Sequence, residues 1–188
     1  MSNKRPISIK IVSMRPEHMG AVEIIENECF EHPWTRKELD GARKKRYYIS
    51  KVAIITPKGS GEKIVAGAMY LEQDKFRFTL LSLGVLKEWW RHGIGSALVD
   101  TIIKRLRNGG RYEIYELVRE TNLVAQQFYR ARGFVAQRPK LNAYAEDEAA
   151  YPMIYRWEWS PQGRAISGEP ESCSKRAHLC TSCSECED

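Results

Sequence analysis

The chain has 188 residues, 43% hydrophobic and 10% aromatic, which suits one domain with a substantial core and a short extension. The formal net charge is +6; residues 161–188 hold three basic and five acidic side chains, leaving a surplus of about +8 on the first 160. Such a surplus suits a polyanionic cofactor, a ribosome or nucleic acid. No apolar run approaches the ~20 residues of a membrane span, and residues 1–10 lack the apolar stretch of a secretory signal, so a cytoplasmic protein without a membrane partner is expected. With no long basic run and no basic–aromatic interleaving read along the chain, direct nucleic-acid binding is not expected.

Residues 7–14 alternate apolar and polar side chains, which predicts a first strand. Pro16 opens a helix whose apolar face is Met19, Val22, Ile25 and Cys29, with Cys29 read as core. The run His32-Pro33-Trp34-Thr35 breaks it, and Thr35 is an N-cap for a second helix through Lys45. Residues 47–55 and 64–72 predict two strands joined by the turn Pro57-Lys58-Gly59-Ser60-Gly61, and residues 76–86 a longer, mostly apolar strand.

Next comes Trp89-Trp90-Arg91-His92-Gly93-Ile94-Gly95, leading into a helix to about Leu106 with an apolar stripe at Ile94, Ala97, Leu98, Thr101 and Ile102. Residues 112–118 predict a strand and residues 122–132 a helix, which Gly133 stops in the left-handed conformation with Phe134 as the anchor beyond it. Strands near residues 135–137 and 151–159 complete the order β-α-α-β-β-β-α-β-α-β-β. Strands and helices mixed at this density imply an α/β sandwich around a largely antiparallel sheet.

The stretch with chemical content is residues 80–98, LLSLGVLKEWWRHGIGSAL. A strand runs into a glycine-bearing turn that opens a helix, presenting unpaired N–H groups and the positive end of the helix dipole to an anion. Gly93 and Gly95 let the backbone approach a pyrophosphate closely, and Arg91 and His92 add charge beside it. The run has neither a G-x-x-x-x-G-K-S/T loop nor the third glycine of a dinucleotide fingerprint, and a bare G-x-G is a weak signal by itself.

In its context the segment resembles motif A of the GNAT acetyltransferases, Q/R-x-x-G-x-G/A. Residues 118–134, VRETNLVAQQFYRARGF, resemble the next motif in the form found in RimI-like members. Residues 28–35, ECFEHPWT, resemble their CF-x-x-PW-S/T segment, and Ala149-Ala150-Tyr151-Pro152-Met153 is similar to their last-strand signature.

The resemblance covers residues 5–160 and implies the GNAT acyl-CoA N-acyltransferase fold, an α/β (α+β) architecture with a mixed, mostly antiparallel central sheet flanked by helices. It implies acetyl-CoA as co-substrate, contacted by Leu83, Gly84, Val85, Arg91, His92, Gly93, Ile94, Gly95, Ser96 and Asn122. Tyr129 falls on the general acid. The implied acceptor is a protein N-terminus, as in the ribosomal-protein-alanine enzymes, and the implied mechanism is direct attack without an acyl-enzyme. A small-molecule amine or a non-catalytic acyl-CoA-binding module are the alternatives.

Three positions depart from the pattern. Trp90 stands where Gln or Arg is usual, and Gly84 and Leu86 replace a small apolar residue and Asp around Val85. Leu117 stands where RimI-like members place a catalytic Glu. Glu116 is the neighbouring candidate, but one residue along a strand is the opposite face, so it reaches the same side only through a bulge.

Beyond residue 160 the composition shifts to Gly, Ser, Pro and charge, from which an extension of 161–188 without a fold of its own is expected, following a 1–160 domain. Cys173, Cys180, Cys183 and Cys186, with His178, have metal-ligand spacing, but few apolar residues exist there to pack a zinc module, and no metal is expected.

Overall fold

A computed structural model describes residues 6–108, 110–144 and 148–157; the cysteine-rich extension lies outside the described residues. The elements run β1 (Ile7–Ser13), α1 (Met19–Cys29), α2 (Arg36–Lys44), β2 (Tyr48–Pro57), β3 (Ile64–Gln73), β4 (Arg77–Val85), α3 (Ile94–Asn108), β5 (Glu113–Arg119), α4 (Leu123–Arg130), β6 (Val135–Ala136) and β7 (Ala150–Arg156). Short 3-10 turns, Pro16–His18 and Lys87–Trp89, lead into α1 and towards α3. The order is the one expected from sequence, with boundaries that coincide or differ by a few residues.

The seven strands form one sheet in the order β1-β2-β3-β4-β5-β7-β6. Every pairing is antiparallel except β4 with β5. One face packs α1 and α2 through Met19, Val22, Ile25, Leu39, Val52, Ala68 and Tyr70. The other face carries the larger core, where Leu98, Ile102 and Leu106 of α3 meet Met69, Leu71, Phe78, Ile114 and Met153 of the sheet.

Local signals explain the helix ends. Thr35 accepts a hydrogen bond from the Glu38 N–H while the Glu38 carboxylate accepts from the Thr35 N–H at 2.8 Å, a reciprocal capping box. Asn122 caps α4 by accepting from the Ala125 N–H at 3.0 Å. Gly133 has φ +85°. Its N–H bonds the Arg130 carbonyl, and the Phe134 N–H bonds the Tyr129 carbonyl, both at 3.0 Å. This Schellman closure drives Phe134 into the core against Tyr129 and Tyr155.

Candidate active site

The parallel ladder between β4 and β5 is short: Arg77, Phe78 and Thr79 pair with Glu113, Ile114 and Tyr115, and pairing then stops. The cause lies in β4. Tyr70 of β3 faces Ser82 while Leu71 faces Leu80, so Leu81 is an extra residue that bends β4 away from β5. The two strands open as a V, with Leu83, Gly84 and Val85 along one arm. Gly84 is required by packing: a Cβ there would lie 2.8 Å from Ile25 Cγ2 and 3.3 Å from Cys29 Sγ. The half-buried Cys29 thiol donates to the Val85 carbonyl at 3.3 Å, and burial pushes its pKa up to about 11.

At the open end of β4 the chain makes the glycine turn. Arg91 (φ +64°) and Gly93 (φ +83°) are both left-handed and flank His92, and such alternation gathers N–H groups into an anion-binding concavity. The Ala97 N–H takes the Gly93 carbonyl as α3 begins. The amides of Ile94, Gly95 and Ser96 therefore belong to the first turn, where a helix offers no carbonyl to accept them.

The two glycines differ. A Cβ on Gly93 would meet nothing within 4 Å, whereas one on Gly95 would lie 3.4 Å from Phe128 Cζ. Gly93 keeps the cradle open, and Gly95 lets α3 and α4 pack. The open cradle and the unpaired arm of β4 fit a pyrophosphate with an extended arm. His92 is oriented by a 3.0 Å contact between Nδ1 and the Trp90 carbonyl and by its edge against Trp89. Trp90, 49% exposed, donates its indole N–H to the Val85 carbonyl at 2.6 Å.

The other candidate residues lie on β5 and α4. β5 pairs with β7 in unbroken register from Glu113–Arg156 to Arg119–Ala150, so no bulge re-aims Glu116. Glu116 shares its face with Ile114 and Val118, towards the core under α3 and α4, and Leu117 occupies the opposite face. The Glu116 carboxyl is enclosed, its Oε2 without a hydrogen-bond partner, and burial raises its pKa well above the carboxylate range. Tyr129 of α4 is 5% exposed and packs between Phe128 and Phe134. Burial first, then the charges of Glu116 and Tyr144, push its hydroxyl well above the usual phenol value. The fold thus brings Tyr129 and Glu116 into electrostatic contact on one face and leaves Leu117 on the other.

Two groups around this cleft escape a reading of motifs. Glu26 of α1 is buried; its Oε2 accepts from the Ser82 hydroxyl at 3.2 Å and its Oε1 from the Trp34 N–H at 3.4 Å. It ties the α1–α2 loop to β4, with Trp34 packed on Tyr70. On the far side, the Tyr144 hydroxyl donates to the Leu117 carbonyl at 2.5 Å, and its ring lies under Arg119 at 4.7 Å. Arg119 also bridges Glu148 at 2.7 Å and Glu31 at 3.3 Å, joining Glu148 to the residues just past α1. Burial raises the Tyr144 pKa to about 12, with the Glu116 charge adding to it.

A sheet split beside a phosphate-cradling turn, with a buried tyrosine next to the split, defines an acyl-CoA N-acyltransferase. Residues 19–134 match the model of the Acetyltransferase (GNAT) family, and the chain belongs to that family. It is an acetyl-CoA-dependent N-acetyltransferase, with acetyl-CoA as co-substrate. It is 25% identical over 134 residues to the [Ribosomal protein bS18]-alanine N-acetyltransferase of Escherichia coli (strain K12), covering 71% of this chain and 86% of the relative. The crystal structure of the ribosomal-protein-S18-alanine N-acetyltransferase from Escherichia coli superposes with a TM-score of 0.68 at 22% identity, over 89% of this chain and 99% of that one. Arabidopsis thaliana NAA60 in complex with a bisubstrate analogue gives 0.69 at 17% identity, over 79% and 98%. No helix among the described residues is long and apolar enough to cross a membrane.

Proposed function

We propose that this enzyme acetylates the α-amino group of a protein or peptide N-terminus, in the manner of the ribosomal-protein-alanine acetyltransferases it resembles. The observation that carries the reading is the acceptor side of the cleft. The Trp34 loop, pinned by Glu26 to β4, and the Tyr144–Arg119–Glu148 loop stand on either side of the Leu117 face. Two anchored loops flanking an open strand end suit a chain terminus better than a free amine, which needs a small closed pocket.

The chemistry agrees. The neutral amine would attack the thioester carbonyl of acetyl-CoA, forming the amide as the C–S bond breaks, with the CoA thiolate taking a proton from Tyr129 and the amine proton passing to water. An α-amino group has a pKa of ~7.7–8.0, so roughly a tenth or more is neutral at physiological pH without a strong base; a lysine at ~10.4 is not. Leu117 provides no carboxylate on the acceptor face, and Glu116 faces the core, where burial raises its pKa well above the carboxylate range. Tyr129 keeps its O–H through the neutral range and serves as the proton donor on the cofactor side. The β4 amides near Val85 polarise the carbonyl under attack, and the Arg91–Ser96 turn holds the pyrophosphate.

The test is a panel of initial rates with acetyl-CoA. Peptides with free N-terminal Ala, Ser and Met are set against the same peptides with blocked N-termini and an internal lysine, and against small amines. We expect kcat/KM for a free N-terminus at least tenfold above both other classes. Preference for the blocked lysine peptide or for a small amine would overturn the reading.

A further inference from the structure

At the end of the sheet away from the cofactor turn lies a second surface, built from three short segments. The α2–β2 connection contributes Lys45, Arg46 and Tyr47, the β3–β4 turn contributes Lys75 and Phe76, and the entry to β5 contributes Arg111 and Tyr112. Each pairs basic with aromatic residues, as in Lys44-Lys45-Arg46-Tyr47-Tyr48 and Lys75-Phe76-Arg77-Phe78. Each is too short to register as a motif, and the fold brings them together. The Gln73 N–H bonds the Tyr47 carbonyl at 2.8 Å, the Tyr112 N–H the Phe76 carbonyl at 3.1 Å, and Arg111 Nε the Asp74 carbonyl at 2.6 Å.

The result is a cavity of about 380 Å³ lined by Arg46, Tyr47, Gln73, Asp74, Lys75 and Arg111. Three large aromatic side chains stand exposed beside it: Tyr47 at 47%, Phe76 at 50% and Tyr112 at 49%. Phe76 and Tyr112 lie 6.0 Å apart, and Lys75 and Lys45 lie over the Phe76 and Tyr48 rings at 5.4 and 5.0 Å. The carboxylates nearby are already engaged. Asp74 accepts from the N–H groups of Phe76 and Arg77, and Glu113 pairs with Arg156 at 2.9 Å. The Asp74 charge is shared with Arg77 at 3.5 Å and with Arg111, and among the described residues no carboxylate is in ion-pair range of Arg46 or Lys75, which are left to face an external anion.

We propose that this surface binds a single-stranded stretch of RNA, with phosphates on Arg46, Lys75 and Arg111 and unstacked bases on Tyr47, Phe76 and Tyr112. Aromatic faces beside a basic hollow are what single strands use, since every base offers a π-face once it is free of a duplex. An acidic peptide would satisfy the cations but give the three exposed rings nothing to stack. The choice of RNA as the polymer rests on the acceptor reading above, a ribosomal type of substrate; the site itself does not. This revises the expectation drawn from the linear sequence, which found no basic–aromatic interleaving.

The full-length enzyme is titrated into a fluorescein-labelled RNA 15-mer of low structure, read by anisotropy, without acetyl-CoA or acceptor. Binding should weaken roughly 20-fold between 50 and 200 mM salt, as for about three phosphate contacts on a single strand. The Arg46→Glu/Lys75→Glu pair should weaken it at least tenfold. Phe76→Ala and Tyr112→Ala should each cost about fivefold or more, the low end for one stacked base. All variants should acetylate a free peptide N-terminus at the wild-type rate, so a failure of the acceptor reading stays separable from a failure here. Undetectable binding at 50 mM salt would overturn the proposal. So would wild-type affinity in both aromatic variants, tighter binding to a duplex of the same sequence, or equal competition by an acidic peptide.

Discussion

The glycine turn and strand β5 are built from different material. The turn at Arg91–Ser96 works through backbone amides and the left-handed residues Arg91 and Gly93. The strand at Glu113–Arg119 presents side chains, whose direction alternates with every residue. Backbone recognition tolerates sequence change, so Trp90 can stand where Gln or Arg is usual without dissolving the cradle. Side-chain recognition does not. Moving a carboxylate from position 117 to 116 takes it from one face of β5 to the enclosed face under α3 and α4, where burial raises its pKa well above the carboxylate range.

The largest expected effect falls on a side chain of α4 that sits over that strand. Tyr129→Phe keeps the ring packed between Phe128 and Phe134 but removes the O–H, so kcat should fall about 100-fold with little change in Tm. A near-normal kcat would remove Tyr129 from the chemistry.

The backbone half is probed at Gly93, where a Cβ would meet nothing within 4 Å, whereas one at Gly95 would already touch Phe128, so a longer side chain there could change the packing as well as the cradle. Asn and Asp both tolerate the left-handed conformation and have nearly the same shape. Calorimetry should find acetyl-CoA bound at least tenfold, about 1.4 kcal/mol, more weakly by Gly93→Asp than by Gly93→Asn. Equal affinities would mean that no phosphate approaches this turn.

The smallest catalytic effect belongs to Glu116→Gln, expected to change kcat less than about fivefold; a collapse in turnover would restore the carboxylate to catalysis. Its larger signature is in stability. The native state holds the Glu116 proton at pH values where the unfolded chain has released it. Wild-type stability from this residue is therefore complete below the ordinary carboxylate value near 4.5 and is lost as pH rises towards the raised native value. The variant's Tm advantage should grow with pH over that window, and a constant difference would show that the carboxyl is not held neutral.

Element order was legible in the sequence because helix caps and stops are local: Thr35 with Glu38, Asn122 with Ala125, and Gly133 with Phe134 each act within four residues. The glycine turn was legible for the same reason. What escaped was assembled over distance. Glu26 meets Ser82 across 56 residues, Tyr144 reaches back to Leu117, and the Leu81 bulge shows only in its pairing with β3. That Glu116 and Leu117 take opposite faces follows from period-two alternation, which needs no partner, and the unbroken β5–β7 register supplies no bulge to re-aim Glu116. That its face also holds Tyr129 required α4 to be docked.

The three-rung junction between β4 and β5 has a mechanical consequence. It joins a four-stranded half, β1 to β4, to a three-stranded half, β5 to β7, and beside it Glu113 ties Arg77 at 3.8 Å to Arg156 at 2.9 Å. The halves should act as two cooperative blocks joined by a hinge. In amide exchange, protons on the diverging arms should be lost long before those of Val52, Met69 or Leu71, deep in the first block. A ligand that fills the V would stitch the blocks together, so its binding should be read in slowed exchange along both arms at once.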